Sequence, residues 1–291
     1  MQTTNIKQYL HLHLIVFIWG FTAILGALIK IDAIPLVWYR MTFATLFVFL
    51  YFKFKNRSLK VDIRALMKFL LGGVLIALHW IFFFSAIKVS NVSVALVAMS
   101  SGALFTSIIE PFFFKRKLIP TELIFGLIVI GGLYTIFNVE SQYSLGIIYA
   151  LIAALLAALF TVLNGLFVRN YDANVISFYQ LGFGALFITG YILLYAGFDI
   201  SDFKIDASDF GYLLLLSSIC TAYAFIASVK VMKHLTPFTV MLTINLEPVY
   251  AIILALLIFG EKERMSPEFY IGAIIIIFTL ILNGIVKNKK K

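Results

Sequence analysis

The sequence predicts an all-α integral membrane protein of about ten transmembrane helices, arranged as two inverted five-helix repeats. Three observations predict it. Hydrophobic residues make up 62% of the chain and charged residues only 13%. That is about half the charged fraction of a soluble domain, too little to cover a surface in water. Apolar segments long enough to cross a hydrocarbon core of about 30 Å succeed one another along nearly the whole chain. Finally, YRMTFATLF at residues 39–47 returns as YQLGFGALF at residues 179–187, and a fixed-period echo in an apolar chain points to a duplicated membrane unit.

In order, the apolar segments are 12–28, 35–52, 69–87, 92–114 and 123–137, then 145–168, 175–195, 210–227, 238–259 and 269–286. The first five fall in one repeat, residues 1–140, and the second five in another, residues 141–291. The first segment has no small-residue cleavage site after it and reads as a retained span, not a removed signal peptide. The second and seventh carry the opening echo. FTAILG in the first, residues 21–26, returns as FTVLNG in the sixth, residues 160–165. Ala86-Ile87-Lys88 before the fourth matches Val231-Met232-Lys233 before the ninth. Glu122 and Gly126 open the fifth as Glu268 and Gly272 open the tenth. Short connections leave no room for a soluble domain between spans.

Five spans per copy is an odd number, so the second copy enters the membrane from the opposite side. The copies are then related by a pseudo-two-fold axis in the membrane plane, with a substrate site expected at their interface near the midplane. The alanines of the sixth span (Ala150, Ala153, Ala154, Ala157 and Ala158), with Gly126, Gly131 and Gly132 in the fifth, let helix backbones approach closely.

Charge predicts orientation. With the N-terminus inside, the inner loops hold Lys53, Lys55, Arg57, Lys60, Arg64, Lys68, Lys115, Arg116, Lys117 and the tail Lys287, Lys289, Lys290 and Lys291. The outer loops hold only Lys30, Lys88, Lys204, Lys262 and Arg264. By the positive-inside rule both termini are cytoplasmic and the chain sits in the cell membrane. The net charge of +9 then reflects topology and anionic lipid, and no folded module presents it to nucleic acid. Asp199, Asp202, Asp206 and Asp209 read as a solvated outer loop. Cys220 stands alone, so neither a disulfide framework nor a thiolate metal site is expected.

Polar residues inside spans need a reason, because a charge at the bilayer centre costs about 2.5–3.5 kcal/mol even on lenient scales. Glu247 lies near the middle of the ninth span. Pro248 comes next, removing a backbone hydrogen bond and favouring a kink. Asn245 adds polarity beside it. Glu247 is expected to bind a cationic part of a substrate or to carry a proton; the structural alternative is a carboxylate that pins the kink. In the repeat register, Glu247-Pro248 falls opposite Ser101-Gly102 in the fourth span, so both copies keep a flexible point. Trp19, His79, Trp80, Asn164 and Tyr223 are candidates to line a central cavity, where aromatics suit an amphipathic or cationic solute. Arg40 and its counterpart Gln180 are assigned gating or structural roles. Two contacts are open to the long Arg40 side chain: snorkelling outward, and pairing with a carboxylate or a substrate anion. Glu110-Pro111, about one turn from Lys115-Arg116-Lys117, is expected to form an interfacial salt bridge or gate contact.

No catalytic constellation, zinc-ligand spacing or phosphate-cradling loop is present, so no enzyme activity, metal or cofactor is expected. These residues together resemble the drug/metabolite transporter superfamily, in its EamA-type branch. The stretches that carry the resemblance are WGFTAIL from Trp19, Arg40 after Pro35, AIKVSNVSVAL from Ala86, and VMKHLTPFTVMLTINLEPVYAIILALLIFGEK from Val231. The resemblance implies ten spans, an inverted five-plus-five repeat, termini inside, and movement of small organic metabolites. The resulting expectation is a secondary transporter of amino-acid-like or other amphipathic solutes, working by alternating access as monomer or homodimer, with protons as a further partner. The alternatives are an uncoupled facilitator and a membrane-embedded enzyme or accessory protein acting on lipid.

Overall fold

The computed structural model describes residues 2–117, 120–194 and 199–289. Thirteen α-helices stand among them, and no strand. They are α1 (Gln2–Leu28), α2 (Ala33–Phe54), α3 (Ile63–Val89), α4 (Val92–Met99), α5 (Gly102–Phe114), α6 (Pro120–Val139), α7 (Ser144–Phe167), α8 (Ala173–Leu194), α9 (Ala207–Ser217), α10 (Ala224–Val231), α11 (Pro237–Ile244), α12 (Glu247–Phe259) and α13 (Pro267–Lys289). Three spans are broken helices: α4 with α5, α9 with α10 across a π-helical turn (Ser218–Tyr223), and α11 with α12. Thirteen helices therefore make ten spans. Eight of these are long and apolar enough to cross a membrane, while α6 and α13 contribute the shorter apolar stretches 124–136 and 267–279. The chain is a multi-pass membrane protein. The end of the seventh predicted segment at Tyr195, the side chains of Glu122, Lys287 and Lys289, and Lys290 and Lys291 lie outside the described residues.

The duplication is visible in helix lengths. α2 and α8 each have 22 residues. α4 and α11 each have 8, and α5 and α12 each have 13. The break in each pair is built alike: Ser101 N–H donates to Ala98 O at 3.2 Å, and Leu246 N–H donates to Thr243 O at 3.0 Å. Ser101 Oγ also donates to Ala98 O at 2.8 Å. These tightened turns keep backbone groups satisfied where the helix is interrupted, which hydrocarbon demands. The two breaks align Glu247 with Gly102, so the predicted pairing of Glu247-Pro248 with Ser101-Gly102 moves by one residue. Pro248 does not kink a continuous helix. It sits in the first turn of α12, where its missing N–H costs nothing and its fixed φ suits the helix start.

Close backbone contacts set how the halves meet. α3 crosses α8 at Gly73 and Gly184. A Cβ on Gly73 would fall 2.5 Å from Gln180 O and 3.0 Å from Gly184 N, and one on Gly184 would fall 2.9 Å from Gly73 O. Farther out, α6 packs on α13 with two-fold reciprocity. A Cβ on Gly132 would meet Gly272 O at 3.3 Å and Ile276 at 2.7 Å; one on Gly272 would meet Gly132 O at 3.2 Å and Ile136 at 2.7 Å. These reciprocal contacts mark the pseudo-two-fold axis.

Two carboxylates fasten the broken spans across the halves, one at each end of the bundle. At the end that carries Lys30 and Asp206, Glu263 accepts from Val92 N–H and Ser93 N–H, both at 2.9 Å, and from Ser93 Oγ at 2.8 Å. Asn91 Oδ1 caps Val94 N–H at 2.8 Å, which completes the first turn of α4. At the basic end, Glu110 accepts from Phe238 N–H at 2.8 Å and from Arg116 Nε at 3.2 Å. Thr236 Oγ1 caps Thr239 N–H at 3.2 Å. Both carboxylates are buried, where an ionised acid at a helix N-terminus gains from the macrodipole. The expected contact of Glu110 with the neighbouring basic cluster is thus present, joined by a cap on α11. Lys30 Nζ also bonds Asp206 at 2.6 Å. The Asp209 backbone N–H, then Lys30 and Ser208, hold the Asp206 carboxyl well below its ordinary range. That contribution is present at neutral pH and fades as the medium is acidified towards it.

The Gly73 crossing makes a direct prediction. Gly73→Ala forces backbone to move and lowers the thermal midpoint of the detergent-purified protein, at a cost of about 1–3 kcal/mol. Gly190→Ala, where nothing lies within 4 Å of the added carbon, leaves it unchanged. Equal midpoints for the two variants would contradict the crossing.

Candidate functional site

The helices form a central cavity of about 90 Å³ between the halves. That is room for several waters or for part of a small solute. Of the predicted site residues, Trp19, His79, Trp80, Asn164, Asn245, Glu247 and Pro248 line it, and Arg40 joins them. Thr22, Phe83, Phe160, Thr161, Phe225 and Ser228 complete much of the wall. Ser101, Gly102, Gln180, Glu110, Pro111 and Tyr223 do not line it.

Part of the lining obeys the repeat. Leu96 pairs with Met241, Met99 with Ile244, and Ser100 with Asn245, at the matching positions of α4 and α11; Thr22 pairs with Thr161 through the FT echo. The charged groups do not obey it. Arg40 corresponds to Gln180, which donates through Nε2 to Asn164 Oδ1 at 2.7 Å and packs where Gly72 leaves space. Gln180 therefore orients a lining residue from behind. Glu247 corresponds to Gly102, whose place a Cβ would contest with Met241 at 2.6 Å.

Arg40 does not snorkel outward. Its residue surface is 1% exposed. Its Nε donates to Thr221 Oγ1 at 2.7 Å, and Thr221 Oγ1 in turn donates to Leu216 O at 2.6 Å. Its guanidinium lies 3.9 Å from the centre of the Trp80 ring and 5.4 Å from that of Phe84, a cation–π sandwich that fixes the plane of the fork. Trp19 Nε1 donates to Cys220 O at 3.1 Å. Both bonds from the first half end on the π-helical turn, one on the Cys220 carbonyl and one on the Thr221 hydroxyl; the widened geometry frees a carbonyl that a regular helix would bond internally.

The same turn displaces Tyr223. Its extra residue rotates the downstream side chains by about 100° relative to a regular helix. Tyr223 is 44% exposed and bonds His11 Nε2 through its hydroxyl at 3.0 Å, while Phe225 and Ser228 take the cavity face. His79 Nδ1 donates to Ala153 O at 2.8 Å, which fixes the orientation of the ring. Phe83 stacks on the His79 ring and Phe160 meets it edge-on.

Glu247 begins α12, where the macrodipole favours a negative charge. Among the described residues no hydrogen bond is donated to its carboxylate, and no ion pair joins it to Arg40. The cavity thus holds a cation and a carboxylate within a wall of aromatic and apolar side chains, with the polar groups of Thr22, His79, Asn164 and Asn245 among them. That combination suits a small amphipathic solute.

The model of the EamA-like transporter family matches residues 7–138 and again residues 144–285. An uncharacterized transporter of Archaeoglobus fulgidus is 25% identical over 284 residues, covering 94% of this chain and 96% of its own. An uncharacterized transporter of Clostridium kluyveri is 25% identical over 206 residues, covering 68% of this chain and 65% of its own. One solved crystal structure shares the fold, with a TM-score of 0.71 at 16% identity over 96% of this chain and 98% of that one.

Proposed function

Because the chain belongs to the EamA-like transporter family, within the drug/metabolite transporter superfamily, we propose that it is a secondary transporter of small organic solutes. The solute binds in the central cavity beside Glu247, and the two inverted halves rock about it to open one face at a time. The observation that carries this reading is Glu247, a carboxylate lining the central cavity to which no hydrogen bond is donated among the described residues. A charge kept there at a cost of kilocalories favours a group that binds solute or carries a proton. Trp19, Trp80, Phe83 and Phe160 around it favour an amphipathic body over a bare ion. The protein works in the cell membrane with both termini in the cytoplasm, a reading supported by the basic side chains gathered at one end of the bundle.

Alternating access draws support from the paired caps. Glu263 ties the halves at one end and Glu110 at the other. Separating the halves at either face breaks that face's cap and leaves the other to hold them, so the two carboxylates oppose one another as latches.

Both roles can be tested by substitution. Glu247→Gln lowers solute flux in proteoliposomes by about 10- to 100-fold, the worth of one charge-assisted hydrogen bond, with insertion and thermal midpoint unchanged. Wild-type flux in that variant would remove the carboxylate from the mechanism. The latches are read by side-specific thiol labelling of Leu96→Cys and Met241→Cys in a Cys220→Ser background. Glu263→Ala raises labelling of position 96 from the Lys30 end, Glu110→Ala raises labelling of position 241 from the basic end, and the double variant returns towards the parent ratio. If both single variants expose both positions alike, the latches do not oppose one another.

A further inference from the structure

The geometry points to Arg40 as the binding group for a carboxylate carried by the solute, an inference that rests on the cavity being the transport site. Three observations converge on it. First, the guanidinium is only partly used. Nε is spent on Thr221 and the flat face on Trp80, while Nη1 is buried with no hydrogen-bond partner among the described residues. A buried cationic donor left bare is among the costlier arrangements in a protein interior, so its retention in the cavity wall calls for an acceptor that arrives from outside.

Second, the donors cluster. Asn164 Nδ2 and Asn245 Nδ2, on residues that line the same cavity, are also buried and lack a hydrogen-bond partner among the described residues, as does the acceptor Gln180 Oε1 behind Asn164. Three N–H groups without acceptors ask for a ligand rich in lone pairs. The planar fork of an arginine, held in orientation by an indole beneath it, matches the two oxygens of a carboxylate. Third, the fold does not need a cation at this position. The equivalent residue of the other half, Gln180, holds Asn164 with no charge.

Glu247 on the opposite half acts on Arg40 through its field, but no ion pair joins the two among the described residues, so an incoming carboxylate meets a guanidinium whose Nη1 is still open. The carboxylate joins the chain of bonds that runs from Arg40 through Thr221 to Leu216, which ties occupancy to the π-helical turn of the eighth span. Arg40 thereby becomes a recognition residue, in place of the outward-snorkelling gate its sequence position suggests.

The test uses the full chain, purified in detergent, and a panel of aromatic and aliphatic carboxylates, each paired with its carboxamide. Carboxylates raise the thermal midpoint of the wild type and their amides do not, because ligands of the folded state stabilise it by mass action. Arg40→Gln abolishes the shift, and Arg40→Lys, which keeps the charge without the fork, weakens it about tenfold or more in concentration, as the loss of a bidentate contact would. Thr221→Val separates recognition from scaffolding. It weakens the carboxylate shift without abolishing it if Arg40 binds solute, because the charge and Nη1 remain, and mimics Arg40→Gln if Arg40 only props the turn, which would overturn the assignment. Amides that stabilise as well as acids, a shift that survives Arg40→Gln, or a wild type unmoved by every acid in the panel would overturn it too. A carboxylate that binds through Arg40 but shows no flux in proteoliposomes would instead leave this site standing and remove the transport reading.

Discussion

Hydrocarbon offers a peptide group no hydrogen bond, and every interruption of a helix in this protein answers to that constraint. Two spans break at matching positions, and their freed groups turn back into tightened turns and serine bonds. The first turns of α4 and α11 pass their N–H groups to side chains of their own half and to a carboxylate of the other. A third span widens into a π turn, whose Cys220 carbonyl is taken by Trp19 and whose Thr221 hydroxyl is taken by Arg40. Irregular backbone is tolerated at membrane depth where protein surrounds it, and the cavity is lined beside the two matching breaks by Ser100 and Asn245.

Symmetry and asymmetry divide the work. Helix lengths, breaks, the Gly132–Gly272 contact and four lining pairs obey the duplication, and they describe a scaffold with two equivalent arrangements. Arg40, Glu247 and the π turn break it. A cavity with two identical ends would treat both ends of a solute alike; this one presents a guanidinium from the first half and a carboxylate from the second. In the proposed mechanism the symmetric scaffold carries the movement and the mismatches carry the chemical preference.

Much of this is legible in the sequence because it is written locally. The YRMTFATLF echo, the apolar run lengths and the Glu247-Pro248 step sit within a few residues of what they determine, and Glu247, Trp19, His79, Trp80 and Asn164 do meet at one cavity. The illegible part depends on partners far along the chain. By sequence Arg40 looks free to snorkel, yet Thr221, 181 residues away, holds it inward. Tyr223 leaves the cavity face because of a π turn that SSICTAY, with neither Pro nor Gly, does not announce; the turn is recorded in bonds from Trp19 and Arg40. Glu263 stands in a charged loop segment, GEKER, that reads as solvated, and its burial arises from the first turn of α4 lying beside it. Glu110 is partly legible, since Arg116 is near in sequence, but its cap on α11 is not.

Two inverted halves that rock about a shared cavity must change their separation at both faces. Spin-label distances test this most directly, with one pair at the Lys30 end, Asp32→Cys with Lys262→Cys, and one at the basic end, Lys115→Cys with Lys233→Cys, each in a Cys220→Ser background and reconstituted in lipid. The account predicts two distance populations for each pair, shifting in opposite senses between the two ends when solute or pH changes the balance. A single unchanging distance at both ends, under conditions in which solute crosses the membrane, would contradict it.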